Sequence, residues 1–388
     1  MSKPHPPEPE DTEPDLDQVP DPVPDQPGKP DVWTPRRVAG MLAVYVVAAG
    51  LGYVAFRAGL PIPWMLGALA TATFSRLVFQ SKRPPRFARI MGQVVVGSGV
   101  GLYLSPDALK LILESALPIV LMSVLTVGAA ITMAVIQTRL AGVKLATAIF
   151  ACIPGSPVEM ANMAEINKGD PGQVALAQML RIVAIVTLFP PLLILSGVKF
   201  DPFTKPIAAV DPAGLVAMLV MSVAIGWCGV KLRMINPYFL APMALTGALT
   251  ALGVHLSGLP SPLLAFAQLM LGVSTGSMFR RSLFRNHKAT TTTLVSTFVL
   301  LSASLSIAWL MAHLFDLDIA AMALASAPGS VTEMTLTAKA MHLDVSLIAA
   351  FHLFRVFFIM ALVPVLFGAA VWIAGGGHKK KRKPRKKK

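Results

Sequence analysis

Eight apolar runs dominate this chain, at about residues 38–56, 62–79, 112–138, 173–197, 213–230, 237–254, 289–312 and 347–372. Each is close to the ~20 residues an α-helix needs to cross ~30 Å of hydrocarbon. Only 14% of the 388 residues are charged and 54% are hydrophobic, against roughly 25% charged in a soluble domain. That composition excludes a water-soluble enzyme. With 29 Gly, 20 Met and 4 Tyr, the chain suits helices that pack through small residues, and it lacks the alternation of an outer-membrane barrel. Cys152 and Cys228 are the only cysteines, too few for a disulfide framework or a cysteine metal site.

Charge is concentrated at the ends. Residues 1–32 hold nine acids and two lysines, and residues 379–388 hold nine basic residues and no acid. The Pro-rich acidic segment 1–37 is expected to be a disordered cytoplasmic tail. It has neither the basic nor the apolar region of a signal peptide, so insertion is expected to rest on the chain's own helices. The basic segment 375–388 reads as a second cytoplasmic tail that touches anionic lipid headgroups, in preference to nucleic acid, because it follows directly on an apolar run.

The runs form one set used twice. A shift of 174 residues brings Gly40 onto Gly214, Pro63 onto Pro237, Pro154 onto Pro328, Asp170 onto Asp344, Arg181 onto Arg355 and Pro190 onto Pro364. Two membrane repeats are therefore expected, 38–205 and 206–374. Lys and Arg crowd the loop after the second helix of the first half (Lys82, Arg83, Arg86, Arg89) but the loop after the third segment of the second half (Arg280, Arg281, Arg285, Lys288). Loops facing the cytoplasm carry this excess, so equivalent loops face opposite sides, as in inverted-repeat transporters. Inversion requires an odd number of crossings per half. Five crossings, counting the Gly-rich segments 88–104 and 262–279, satisfy it if the Pro-Gly segment enters and leaves on one side; a fully crossing broken helix is the alternative. Those Gly-rich segments are expected to allow close helix packing, with Gln93 and Gln268 beside the central cavity.

The Pro-Gly segments read AIFACIPGSPVEMANMA (148–164) and MALASAPGSVTEMTLTA (322–338). Pro154 and Pro328 break a helix, Gly155 and Gly329 allow the break, and Ser156 and Ser330 can cap a second half-helix with Glu159 and Glu333 at N3. Such an N-terminus inside a membrane suits an anionic group. The next helix carries Gln178 and Arg181 in the first half, His352 and Arg355 in the second, each pair on one helix face. Ionisable groups at mid-bilayer cost ~2.5 to 3.5 kcal/mol each if left alone, so these must be paired or solvated. Two readings stand: Glu–Arg bridges that pin hairpin to helix, or a polar midplane site built from both halves. His352 titrates near neutral pH when unperturbed while its counterpart is Gln178, an asymmetry that hints at proton handling.

The doubled motifs PGSPVEM and PGSVTEM, each followed by an Asp and an intramembrane Arg, resemble the AbrB-duplication membrane protein family over about residues 38–373. The resemblance implies a fold akin to cation/proton antiporters and anion transporters. It marks Pro154, Gly155, Glu159 and Met160, with Pro328, Gly329, Glu333 and Met334, as site positions. Ser156 and Ser330 stand where many members have a second glycine. Family members carry labels of regulator of gene expression or ammonia monooxygenase, and the small soluble DNA-binding regulator of the same name is unrelated. Taken together, the sequence predicts an all-α, multi-pass protein of a bacterial inner membrane with both termini cytoplasmic. Its expected function is secondary transport of a small anion or acid coupled to protons or sodium, with no cofactor, no metal, no enzymatic activity and no direct nucleic-acid partner. Homo-oligomerisation fits as well. An indirectly acting regulator is the alternative, and an oxidoreductase is the third reading.

Overall fold

The computed structural model describes residues 35–60, 62–79, 81, 84–155, 157–195, 209–232, 234, 236–254, 257–279, 281–284, 287–329 and 331–374. Residues 1–34 of the acidic tail, the basic tail, Ser156, Ser330, the side chain of Glu159, four of the loop cations (Lys82, Arg83, Arg280, Arg285) and the expected boundary between the halves at 205 lie outside the described residues, while residues 35–37, expected to belong to the tail, open the first helix.

Among the described residues all regular structure is helical. The helices are α1 (Pro35–Arg57), α2 (Pro63–Val78), α3 (Arg86–Gly101), α4 (Pro106–Glu114), α5 (Ala116–Ala141), α6 (Leu145–Cys152), α7 (Pro157–Ile166) and α8 (Pro171–Leu195). They are followed by α9 (Pro212–Lys231), α10 (Pro237–Ala251), α11 (Ser261–Gly276), a 3₁₀ turn (Arg281–Phe284), α12 (His287–Phe315), α13 (Ile319–Ser326), α14 (Val331–Ala340) and α15 (Val345–Ala374). Proline opens many of these helices because the first helical position has no backbone hydrogen bond to lose. Five helices, α1, α5, α8, α9 and α12, are long and apolar enough to cross a membrane.

Each expected apolar run coincides with a helix to within a few residues. Residues around Asp107 and Lys110 form the short helix α4, which turns by 85° from the axis of α3. The Ser105 hydroxyl accepts from the Ala108 N–H at 3.2 Å, Pro106 opens the helix, and Asp107 sits in its first turn. This Ser-Pro-Asp start signal was legible in the sequence but was masked by the polar interruption it creates.

Packing divides the helices into two bundles, α1–α3 with α9–α11 and α5–α8 with α12–α15; α3 and α4 also touch α15, and α3 touches α14. Within the first bundle the two halves of the chain interlock through glycine. A Cβ on Gly97 or Gly101 of α3 would collide with the Phe239 or Met243 carbonyl of α10. Reciprocally, a Cβ on Gly272 or Gly276 of α11 would come within 2.6 Å of the Met65 carbonyl oxygen or 2.5 Å of that of Leu69 on α2. The glycines thus serve backbone-to-backbone approach, as small residues do in membrane bundles. Ser98 reinforces the first contact: its carbonyl accepts from the Thr246 hydroxyl at 3.0 Å, and its own hydroxyl lies 2.8 Å from that of Ser222 on α9. Gln93 donates to the Asn236 side-chain oxygen at 2.7 Å, tying α3 to the start of α10. It does not line the central pocket described below, and neither does Gln268, so the expected cavity role of these two glutamines is corrected.

Candidate functional site

Two broken helices carry the motif residues. α6 stops at Cys152 and α13 at Ser326, because Pro154 and Pro328 cannot supply the next helical N–H and clash with the preceding turn. After the breaks, α7 and α14 restart at Pro157 and Val331, which puts Glu159 and Glu333 at the third helical position, where an N-terminal carboxylate is favoured. The motif methionine folds back on the motif glycine. A Cβ on Gly155 would meet the Met160 side chain at 2.8 Å, and one on Gly329 would meet that of Met334 at 3.2 Å. Both methionines are buried. Gly and Met are therefore one packing unit that closes the turn.

A helix that ends inside apolar surroundings leaves its last carbonyls without partners, and here arginine supplies them. Arg181, 2% exposed, donates through Nη1 to the Ala151 and Cys152 carbonyls at 3.1 and 2.8 Å, and through Nη2 to the Ile153 carbonyl at 3.2 Å and to the Gln178 side-chain oxygen. Arg355, 3% exposed, donates to the Ser326 and Ala327 carbonyls at 3.2 and 2.8 Å and to the Gly329 carbonyl at 3.1 Å. The flat guanidinium fork suits this task, since its N–H groups reach several carbonyls at once. The expected bridge between Glu333 and Arg355 is not formed: Glu333 is buried, 7% exposed, and its Oε2 has no hydrogen-bond partner. Backbone carbonyls won the arginine because a buried helix end presents several acceptors side by side.

Gln178 and His352 complete the two caps in the same way. Gln178 Nε2 donates to the Phe150 and Ile153 carbonyls, both at 2.8 Å, while its oxygen accepts from Arg181. His352, 0% exposed, places Nε2 at 2.9 Å from the Leu324 carbonyl and Nδ1 at 2.7 Å from Nη2 of Arg355. A carbonyl only accepts and a guanidinium only donates, so Nε2 carries the hydrogen and Nδ1 carries none. His352 is thus a neutral relay with the donor and acceptor of an amide. Both ring nitrogens are thereby engaged, and the arrangement itself lends the expected proton handling no support. His352→Gln should accordingly keep thermal stability within about 1 kcal/mol of wild type, the scale of one exchanged hydrogen bond. It should also leave the pH profile of any ligand binding unchanged, which thermal-shift titrations across pH will measure.

The two breaks meet. A small pocket, with room for about one water molecule, is lined by Cys152 and Pro154 from the first break, Ser326 and Pro328 from the second, and Thr126 and Ser304 from α5 and α12. The Ser304 hydroxyl donates to that of Ser326 at 2.9 Å, and Ser326 in turn donates to the Ala323 carbonyl at 3.1 Å. Thr126, Ser304 and Ser326 escaped the sequence reading because isolated hydroxyls in apolar helices are common and usually bond to the preceding turn. Arg181 and Arg355 reach the pocket through the carbonyls of its lining residues Cys152 and Ser326, and Nε of each is buried without a partner. Among the described residues no group of three or more His, Cys, Asp or Glu could hold a metal ion.

The family model described as "Transition state regulatory protein AbrB" matches residues 64–370, from α2 through nearly all of α15. The chain belongs to the AbrB family. This AbrB-family chain is also 24% identical over 351 residues to "Uncharacterized protein YhjN" of Bacillus subtilis (strain 168), a similarity that covers 84% of this chain and 91% of that protein. The matched span of the AbrB protein contains both breaks, both arginine caps and the pocket between them.

Proposed function

We propose that this AbrB-family protein is a secondary transporter of a small anion or acid, built as two inverted repeats whose Pro-Gly hairpins enter the bilayer from opposite sides and meet at the central pocket. The observation that carries the reading is the pocket itself, made from both breaks and flanked by two buried guanidinium groups with unpartnered Nε–H donors. Buried cations of this kind, inside an apolar bundle, mark ligand pathways.

The element directions support inversion. α6, α7 and α8 begin at Leu145, Pro157 and Pro171, and α13, α14 and α15 begin at Ile319, Val331 and Val345, in each case 174 positions later. Gly92 of α3 meets Ala267 and Leu271 of α11 whereas Gly99 meets Leu259 just before it, so α3 and its equivalent α11 point in opposite directions. The first hairpin closes on one side, since the Asp170 N–H donates to the Thr147 hydroxyl at 2.8 Å, joining the end of α7 to the start of α6. In the second half, the Ser346 hydroxyl, in the first turn of α15, donates to the Tyr103 carbonyl just past the end of α3 at 3.1 Å. Arg281 donates to the Leu77 and Val78 carbonyls at the end of α2, which sets the two basic loops on one face. That face is cytoplasmic by its positive charge, and both termini belong to it. In this reading the protein resides in a bacterial inner membrane, its basic tail contacts anionic headgroups, it has neither enzymatic activity nor direct nucleic-acid contact, and copies of the chain can associate.

Substrate coupling to protons or sodium falls to the motif glutamates. The family description favours a second reading, in which the same pocket senses a ligand and the protein affects gene expression through partners. Proteoliposomes separate the two. Transport predicts accumulation of a radiolabelled small carboxylate or inorganic anion under an imposed proton or sodium gradient, whereas thermal stabilisation by such an anion without flux supports the sensor. Single cysteines at Ser81 and Phe284, beside the basic loops of the two halves and placed in a background without Cys152 and Cys228, are both expected to label only from the cytoplasmic side. Labelling of either from the periplasm would refute inversion.

A further inference from the structure

We propose that the acidic stretch 8–31 lies as a strap across the basic end of the two helix bundles, rooted on the first bundle through α1 and held by cations of the second. The inference does not depend on what the central pocket binds. α1 and α2 are joined by a short connection, and a Cβ on Gly52 would meet Trp64 while one on Gly67 would meet Gly52. The two helices are therefore antiparallel. Pro35, where α1 begins, stands at the end where α2 finishes, and Arg281 donates to the Leu77 and Val78 carbonyls at that same end.

The second bundle presents its own cations there. α12 begins at His287, just after the turn that carries Arg281, and Lys288 is exposed. Gln137, near the end of α5, donates to the Ser296 hydroxyl near the start of α12, so Arg139 and Lys144, both exposed, stand at this end too. Exposed Lys168 joins them, because the Asp170 N–H donates to the Thr147 hydroxyl at 2.8 Å beside the start of α6. Among the described residues of these loops the acids are Glu165 and Asp170, and Asp170 accepts from the Gln173 N–H at 3.0 Å at the start of α8.

Residues 1–32 carry nine acids against two lysines, so the chain delivers a negative segment to the end of the molecule where these cations gather. The residues from Glu8 to α1 span up to about 90 Å when extended at ~3.5 Å each, far beyond a folded body of this size, whose radius of gyration is about 20 Å. Tethering decides between occupants. A segment of the same chain meets the cations at an effective concentration on the order of mM, whereas lipid headgroups surround the sides of a membrane-spanning bundle and do not cover the loops that end it. Single surface ion pairs are weak, so the strap holds through the number of its charges and yields to salt. Because it starts on one bundle and is held by the other, it limits how far the two can part at this end.

Zero-length carbodiimide coupling of the full chain in nanodiscs of neutral phosphatidylcholine, read by mass spectrometry, tests the strap. Amide links from acids of 8–31 to Lys144, Lys168 or Lys288 are expected, falling roughly threefold or more at about 1 M salt, where the screening length is about 3 Å. Mixed isotope-labelled and unlabelled protein should give links within one copy only, and the links should persist when anionic phosphatidylglycerol is added to the lipid. Absence of any link to these three lysines would overturn the strap, whether the acids couple to the basic segment 379–388 instead or to nothing. Links between differently labelled copies would assign the basic end to a neighbour's segment, and loss of the links in anionic discs would assign it to headgroups; either result overturns the proposal. The coupling involves no substrate, so the transport reading stands or falls separately.

Discussion

Arg355→Met should destabilise the protein by about 3 kcal/mol or more, read as a lowered unfolding temperature in detergent. The change removes donors from the Ser326, Ala327 and Gly329 carbonyls and from His352 Nδ1. Each buried acceptor left unpaired costs ~1 to 3 kcal/mol, and a lipid-immersed bundle offers little water to replace the lost donor. Lysine should not rescue the site, because a single ammonium cannot span carbonyls that a planar fork reaches together. Arg181→Met should behave alike, for the Ala151, Cys152 and Ile153 carbonyls. The two arginines cap different helix ends and share no hydrogen-bond partner, so the two losses should add in a mutant cycle. Adding Glu333→Gln should give Arg355→Met no recovery; recovery would mean that the two form an ion pair after all.

Gly101→Ala should be strongly destabilising. Its Cβ would run into the Thr246 hydroxyl and the Met243 carbonyl and come within 2.7 Å of the Gly247 nitrogen, and backbone atoms on both sides leave no route for relief. Overpacking of this kind costs typically ~1 to 3 kcal/mol, here at the top of the range because α3 and α10 must part along their length. Gly276→Ala, against the Leu69 carbonyl at 2.5 Å and the Ala72 Cβ at 2.9 Å, should cost a similar amount. Gly128→Ala on α5 is the internal control. Nothing lies within 4 Å of its Cβ position, so the higher helix propensity of alanine should stabilise it by up to ~1 kcal/mol. Equal unfolding temperatures for Gly101→Ala and Gly128→Ala would show that α3 and α10 do not approach as described.

The sequence by itself determined the helices and the positions of both breaks. Each of these depends on properties of residues in one stretch of chain: apolar length, the missing proline N–H, glycine in place of a side chain. The glycine contacts were legible too, because only a missing side chain explains small residues at helical spacing in an apolar run. What only the tertiary structure decided is what the buried charges do. Arg181 and Arg355 bind main-chain carbonyls, and a carbonyl is the same in every residue, so no pattern in the sequence advertises it as a partner; a glutamate 22 residues earlier in the chain is the more obvious one. In the same way, His352 differs chemically from Gln178, yet ring orientation makes it accept and donate where the amide does. Side-chain identity sets which atoms can titrate, but the partners around a buried group decide whether they are free to, and those partners come together only when both hairpins have folded against α8 and α15.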